Sequence, residues 1–234
     1  MASRFDFLKV LDNSEVDFKE EFDKVILWNA IAQNGKHDFS LKAITRQYSL
    51  CEEEFKELHQ AVDTNDLVET VDALCDLFVV CSYYLFLIGQ TPSTCGFVIN
   101  FDEAVEQCYY PMRDYNLNKI NIAYLFGDVL KALASMHKGK ECLNNVLDSN
   151  MSKFALKGFL EDSCCDMFVT AQVIEKQSDR RYKNVVPIVS SVVDKETQKE
   201  LEYVVFRAEY GNGKIIKPPY FIEPKIKEII KDFI

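Results

Sequence analysis

Glu53, Glu54 and Glu57 stand three and four residues apart, so on a helix Glu57 neighbours both others on one face. Glu69, Asp72 and Asp76 repeat that spacing. Between the two sets runs Asp63-Thr64-Asn65-Asp66, a polar break with helix-capping chemistry. Two helices joined there can pack antiparallel as a hairpin and let the acidic faces meet. Like charges so placed repel by about 0.2–0.5 kcal/mol per exposed pair, and by more when buried. Three glutamates on a helix are most often a solvated face. Asp72 and Asp76 are different, because Val71, Ala73, Leu74, Leu77 and Phe78 surround them in sequence. Carboxylates that face each other away from water take up protons or hold cations. Magnesium suits them, being hard, oxygen-seeking and commonly shared between carboxylates and phosphates. A ferritin-like di-iron site needs Glu-x-x-His, and Glu57-x-x-Gln60 does not supply it.

Other chemistry-bearing groups are sparser. Lys138 and Lys140 flank Gly139, but no phosphate-binding Gly-x-x-x-x-Gly-Lys-Ser/Thr loop is present. Arg180, Arg181 and Lys183 form a basic loop that reads as solvated, and no Gly-x-Ser-x-Gly nucleophile motif occurs. The eight cysteines include no Cys-x-x-Cys, and the three histidines fall at no zinc spacing with them. Reduced, mostly buried thiols in a cytoplasmic protein are expected, with Cys164-Cys165 the one adjacent pair. Tyr83, Tyr84, Tyr109 and Tyr110 are assigned to the core rather than to base stacking.

The elements that must position the acids follow from apolar spacing. Helices are expected over 17–33, from a Ser40 cap to 62, over 67–88, 101–110, 120–136, 141–157 and 159–177. A β-hairpin is expected from 185–193 and 201–210, and a last helix over 225–234. The fold class is mainly α, a helical bundle with a small C-terminal β-hairpin. One domain spans 1–234, its helical core at about 14–177 and its hairpin and tail at about 185–234. The 234 residues are 48% hydrophobic and 27% charged, which excludes a disordered or low-complexity chain. The net charge of −10 argues against nucleic acid and anionic membranes as partners. The thirteen-residue apolar run over 77–89 is shorter than the roughly 20 residues of a spanning helix.

Several segments resemble the MazG-like, all-α nucleoside-triphosphate pyrophosphohydrolases, relatives of phosphoribosyl-ATP pyrophosphohydrolase, and above all their phage and bacterial members. Arg46-Gln47-Tyr48-Ser49-Leu50-Cys51-Glu52-Glu53-Glu54-Phe55-Lys56-Glu57-Leu58 is like the family's Arg…Leu…Glu-Glu-x-x-Glu-Leu helix. Asp72-Ala73-Leu74-Cys75-Asp76-Leu77 is like its second acidic helix, and Ser149-Asn150-Met151-Ser152-Lys153 is like the phage signature. Gly211-Asn212-Gly213-Lys214-Ile215-Ile216-Lys217-Pro218-Pro219-Tyr220 is similar to the ending of that group. The likeness covers about residues 40–90, 145–155 and 210–234. One departure concerns the family's Glu-x-x-Asp. With Asp72 as its aspartate Glu69 fits and Asp76 is additional; with Asp76, Ala73 stands at the glutamate position.

The resemblance implies a Mg²⁺-dependent hydrolase, or one using Mn²⁺, that splits a nucleoside triphosphate between its α and β phosphates into monophosphate and pyrophosphate. Glu53, Glu54 and Glu57 are its candidate catalytic residues, with Glu53 or Glu54 as base on a water. Glu54, Glu57, Glu69, Asp72 and Asp76 are candidate metal ligands. Arg46, Asn150, Lys153, Lys214, Lys217 and Tyr220 are candidate substrate contacts. A homodimer or homotetramer is implied. The alternative is a non-catalytic helical module of the same descent that binds a nucleotide or a protein.

Overall fold

The computed structural model describes residues 17–93, 100–111, 113–114, 119–162, 166–177, 182–194, 197–208 and 215–233. The chain divides into two compact units. The first comprises Met1–Ile26, Asp38–Leu147 and Pro224–Ile234; the second comprises Leu27–His37 and Asp148–Glu223. This division does not fall between 177 and 185, where the sequence reading separates helical core from appendage. It passes instead through two helices, α1 (Lys19–Ala32) and α6 (Gly139–Met151).

The first unit is helical and centred on α3 (Leu67–Ile88), against which α2 (Leu41–Asp63), α5 (Ile122–Ser135) and α9 (Ile226–Ile229) pack. α4 (Phe101–Tyr109) lies on α5. Ser40 caps α2 by accepting a hydrogen bond from the Ala43 amide, and Asp66 caps α3 by accepting one from Glu69. Asn65, in the left-handed region at φ 55°, makes the sharp turn between them. α3 ends at Gly89 (φ 72°), where the Gln90 amide returns to the Leu85 carbonyl. Phe18, Phe78 and Phe126 are buried as a run of ring contacts at 5.9 and 5.4 Å. By length and composition α3 could cross a membrane, but most of it is buried in this core. The apolar run over 77–89 is therefore the C-terminal part of a longer helix.

Several polar groups buried in this unit are paired. Asp128 and Lys131 form an ion pair at 3.1 Å, and Lys131 also donates to Gln107. Glu21, 1% exposed, accepts from Asn144 Nδ2 at 2.7 Å and meets Lys140 at 3.4 Å.

The second unit is built on a three-stranded antiparallel sheet ordered β3 (Ala155–Leu156), β5 (Glu200–Ala208), β4 (Val185–Val193). One face, through Ala155, Val185, Val204 and Phe206, packs on α7 (Lys157–Asp162) and α8 (Met167–Gln177) at Leu160, Ala171 and Ile174. Val192 and Val205 pack with Ile31, Ala32 and Phe154. The Arg207 guanidinium donates to the Ala32 carbonyl. Gly35 (φ 76°) passes so close to the Ser191 carbonyl that a Cβ there has no room.

Three expectations are corrected. The helix expected over 141–157 stops at Met151, because Ala155 and Leu156 pair with Val204 and Tyr203 as a third strand. The helix expected over 159–177 is two, and Asp166 begins the second by accepting from the Phe168 and Val169 amides. The last helix shortens to α9 and a 3₁₀ turn at Lys231–Phe233. A two-residue ladder, β1 (Arg113–Asp114) with β2 (Lys119–Ile120), is an addition.

Candidate functional site

α2 is amphipathic because Cys51, Phe55, Leu58 and Ala61 recur at helical spacing and are buried against α3. That seam fixes the direction of the acids beside it. Glu54 and Asp76, and Asp72 one turn before it, are half-buried, whereas Glu53, Glu57 and Glu69 are exposed. The chain turns back between the helices, so residues late in α2 face residues early in α3.

The electrostatics show that the acids converge. The Glu54 carboxyl is pushed up to about 8, first by burial and then by the charges of Asp76, Glu57, Glu53 and Asp72. The Asp72 carboxyl is raised by burial and then by Glu69 and Glu57. Both helices thus contribute charges to one field. All six acids named from the sequence take part in it.

The donor set fits a hard divalent cation. Every group is a carboxylate, and the repulsion that raises Glu54 and Asp72 is the kind that a cation offsets. Among the described residues no three His, Cys, Asp or Glu side chains are gathered closely enough to coordinate one ion together. A magnesium ion does not need that, since it keeps several waters and takes one or two carboxylates together with substrate phosphates.

Arg46 is exposed on α2, seven and eleven residues before Glu53 and Glu57, which puts it on their stripe about two turns nearer the N-terminus. Asn150, Lys153, Lys217 and Tyr220 gather in the second unit. Lys153 Nζ donates to Asn150 Oδ1 at 2.6 Å and lies over the rings of Trp28 (5.7 Å) and Phe221 (5.9 Å). The Trp28 indole N–H donates to the Asn150 carbonyl at 2.9 Å. Lys217 pairs with Glu223 at 3.0 Å and lies 4.2 Å from the Phe221 ring centroid. The Tyr220 hydroxyl is buried without a hydrogen-bond partner among the described residues, and burial raises it above its ordinary range. Lys214 lies outside the described residues, as do Cys164, Cys165, Arg180 and Arg181.

Trp28 and Phe221 escaped the sequence reading. Only a polar or charged residue type signals a site directly, whereas an aromatic that brackets a lysine looks like core. Tyr83 is buried as expected, but Tyr110 is 73% exposed, which corrects its assignment to the core. The cysteines at 51, 75, 81, 108 and 142 are free and buried. Burial holds the thiols of Cys75, Cys81, Cys108 and Cys142 above their ordinary range.

Residues 20–90 match the phosphoribosyl-ATP pyrophosphohydrolase family, the segment that contains all six acids and Arg46. The family is one of nucleotide pyrophosphohydrolases and has an all-α fold, which supports a hydrolase. An uncharacterized protein of Acanthamoeba polyphaga mimivirus is 25% identical over 235 residues, covering 87% of this chain and 89% of the viral one. No solved structure matches.

Proposed function

From the phosphoribosyl-ATP pyrophosphohydrolase segment at residues 20–90, we propose that this protein hydrolyses a nucleoside triphosphate between its α and β phosphates, yielding a monophosphate and pyrophosphate with the help of Mg²⁺ or Mn²⁺. The observation that carries the reading is the convergence of acids from α2 and α3, with Glu54 pushed up to about 8 among four other carboxylates. A cluster of that kind is unfavourable unless it works on something cationic or holds a proton for use.

Glu54, Glu57, Glu69, Asp72 and Asp76 are the residues that would hold the ion. When bound, it offsets the triphosphate's charge and acidifies a coordinated water. Glu53, exposed on the same helix, or Glu54 would serve as the base on a water. Burial and the neighbouring carboxylates raise the Glu54 carboxyl to about 8, and positive charge held there would favour its ionised form. Arg46, on the same stripe, offers a fixed charge to phosphate oxygens. The family resemblance also names Asn150, Lys153, Lys217 and Tyr220 as substrate contacts; within the second unit Lys153 is held by Asn150 and lies over Trp28 and Phe221. A dimer or tetramer is the assembly we expect.

The test is release of pyrophosphate from each natural nucleoside triphosphate with Mg²⁺. Glu57→Gln and Asp76→Asn, each checked for intact helical circular dichroism, should lower kcat at least about a hundredfold. Turnover unchanged in both variants, or absent from the wild type with every nucleotide, rejects the reading.

A further inference from the structure

Asp102, Glu106 and Tyr110 recur at every fourth residue along α4 and into its C-cap, where the Tyr110 amide still donates to the Glu106 carbonyl. Helical spacing therefore sets them in a row with steps of about 6 Å. All three are exposed, Tyr110 by 73%. They line a cleft of about 490 Å³ that lies wholly within the first unit. Asp63, at the end of α2, lines it too, and Leu67, Phe101 and Val105 add apolar surface. The α4 wall is fastened to α2 beside this row. The Tyr109 hydroxyl donates to Asp63 Oδ1 at 2.9 Å, and His59 stacks on the Tyr109 ring with centroids 3.9 Å apart.

The lining specifies the chemistry of an occupant. Its charged groups are Asp63, Asp102 and Glu106, and no lysine, arginine or histidine among the described residues lines the cleft with them. Nor does any described cation pair with these three acids elsewhere. The cleft therefore favours positive charge. A bare metal ion does not fit it. Such an ion draws its oxygen ligands to within about 2.6 Å, whereas a row with steps of about 6 Å spreads its carboxylates out. No three acids among the described residues gather closely enough around one point. The apolar surface of Leu67, Phe101 and Val105 suits methylene groups, and the open Tyr110 ring suits an ammonium. An elongated organic cation meets all of these conditions, and the volume suits a small one.

We propose that this cleft binds a linear aliphatic polyamine. Four methylenes hold two ammonium groups at about the separation of Asp102 and Glu106, so each carboxylate takes one. The methylenes between them lie on Phe101 and Val105. A third ammonium in a longer chain reaches the face of Tyr110, one step further along the row. Asp63 strengthens the negative field from the α2 side. None of the six acids of the candidate hydrolase site lines this cleft, so the proposal does not rest on that reading.

The test is calorimetric titration of the full chain, in EDTA at physiological ionic strength, with butylamine, butane-1,4-diamine and the triamine spermidine. The diamine should bind about fivefold more tightly than butylamine, the upper end of what one exposed ion pair is worth. Spermidine should gain about threefold more from the ring. Glu106→Gln should bring the diamine down to the affinity of butylamine. Tyr110→Ala should remove the added affinity of spermidine and leave the diamine unchanged. Both positions are exposed, so neither change threatens folding. Glu54→Gln should bind all three amines as the wild type does. No saturable binding, a diamine no tighter than butylamine, a spermidine advantage that survives Tyr110→Ala, or an equal loss in Glu54→Gln overturns the proposal. Because the titration involves neither turnover nor metal, an inactive protein that still binds the diamine would sink the hydrolase reading and leave this one standing. An active protein that binds no amine would do the reverse.

Discussion

Replacing Glu54 with Gln should make the metal-free protein more stable above neutral pH. In the folded chain Glu54 holds its proton to about 8, whereas in the unfolded chain it releases it near its ordinary 4.5. Between those values the folded state binds more protons, so stability falls as pH rises and levels off above about 8. Taken at face value, the rise costs about 5 kcal/mol at about 1.4 kcal/mol per pH unit. Water still reaches part of Glu54, and screening reduces the cost to about 1–2 kcal/mol. Glutamine keeps the shape and removes the charge, so the variant should gain that much at pH 8–9 and nothing at pH 4. In a chain of this size this corresponds to roughly 3–6 °C in Tm. Thermal melts in EDTA from pH 4 to 9 measure it. Millimolar Mg²⁺ should raise the wild-type Tm more than that of the variant, because only the wild type has the repulsion to relieve. If the two proteins melt together at every pH, the acids of α2 and α3 do not crowd one another and the site loses its physical basis.

Other expectations are simpler. Lys153→Met, which keeps the stem between Trp28 and Phe221 but removes the charge, should raise KM for the nucleotide about tenfold with a smaller change in kcat; an unchanged KM would make Lys153 a purely structural cation. Asp66→Ala removes the acceptor for the Glu69 amide at the start of α3 and should cost about 1 kcal/mol by urea denaturation. Gly35→Ala combines a left-handed backbone with a collision at the Ser191 carbonyl. Its cost should exceed the roughly 1 kcal/mol of the backbone effect alone, and a melt that matches the wild type would show that the second unit yields there.

The acidic hairpin was legible because local rules settle it. Helical spacing puts Glu53, Glu54 and Glu57 on one face and Asp72 and Asp76 on another, and Asp63-Thr64-Asn65-Asp66 can only be a turn with a cap. The same local rules located α1 to α3 and the long strands β4 and β5, whose apolar and β-branched periods are strong. They failed between Met151 and Met167. There Ala155 and Leu156 have no strand pattern of their own and become β3 only because Val204 and Tyr203 lie ready to pair with them. They also failed at the rings. Whether a tyrosine is core, as Tyr83 is, or a surface platform, as Tyr110 is, depends on what packs over it, and that comes from elsewhere in the chain. Residue spacing along α2 and α3 therefore determined which carboxylates can share a face. The rise of Glu54, the bracketing of Lys153 by Trp28 and Phe221, and the His59–Tyr109 stack were decided only by tertiary packing, because burial and the juxtaposition of distant segments are properties of the folded chain.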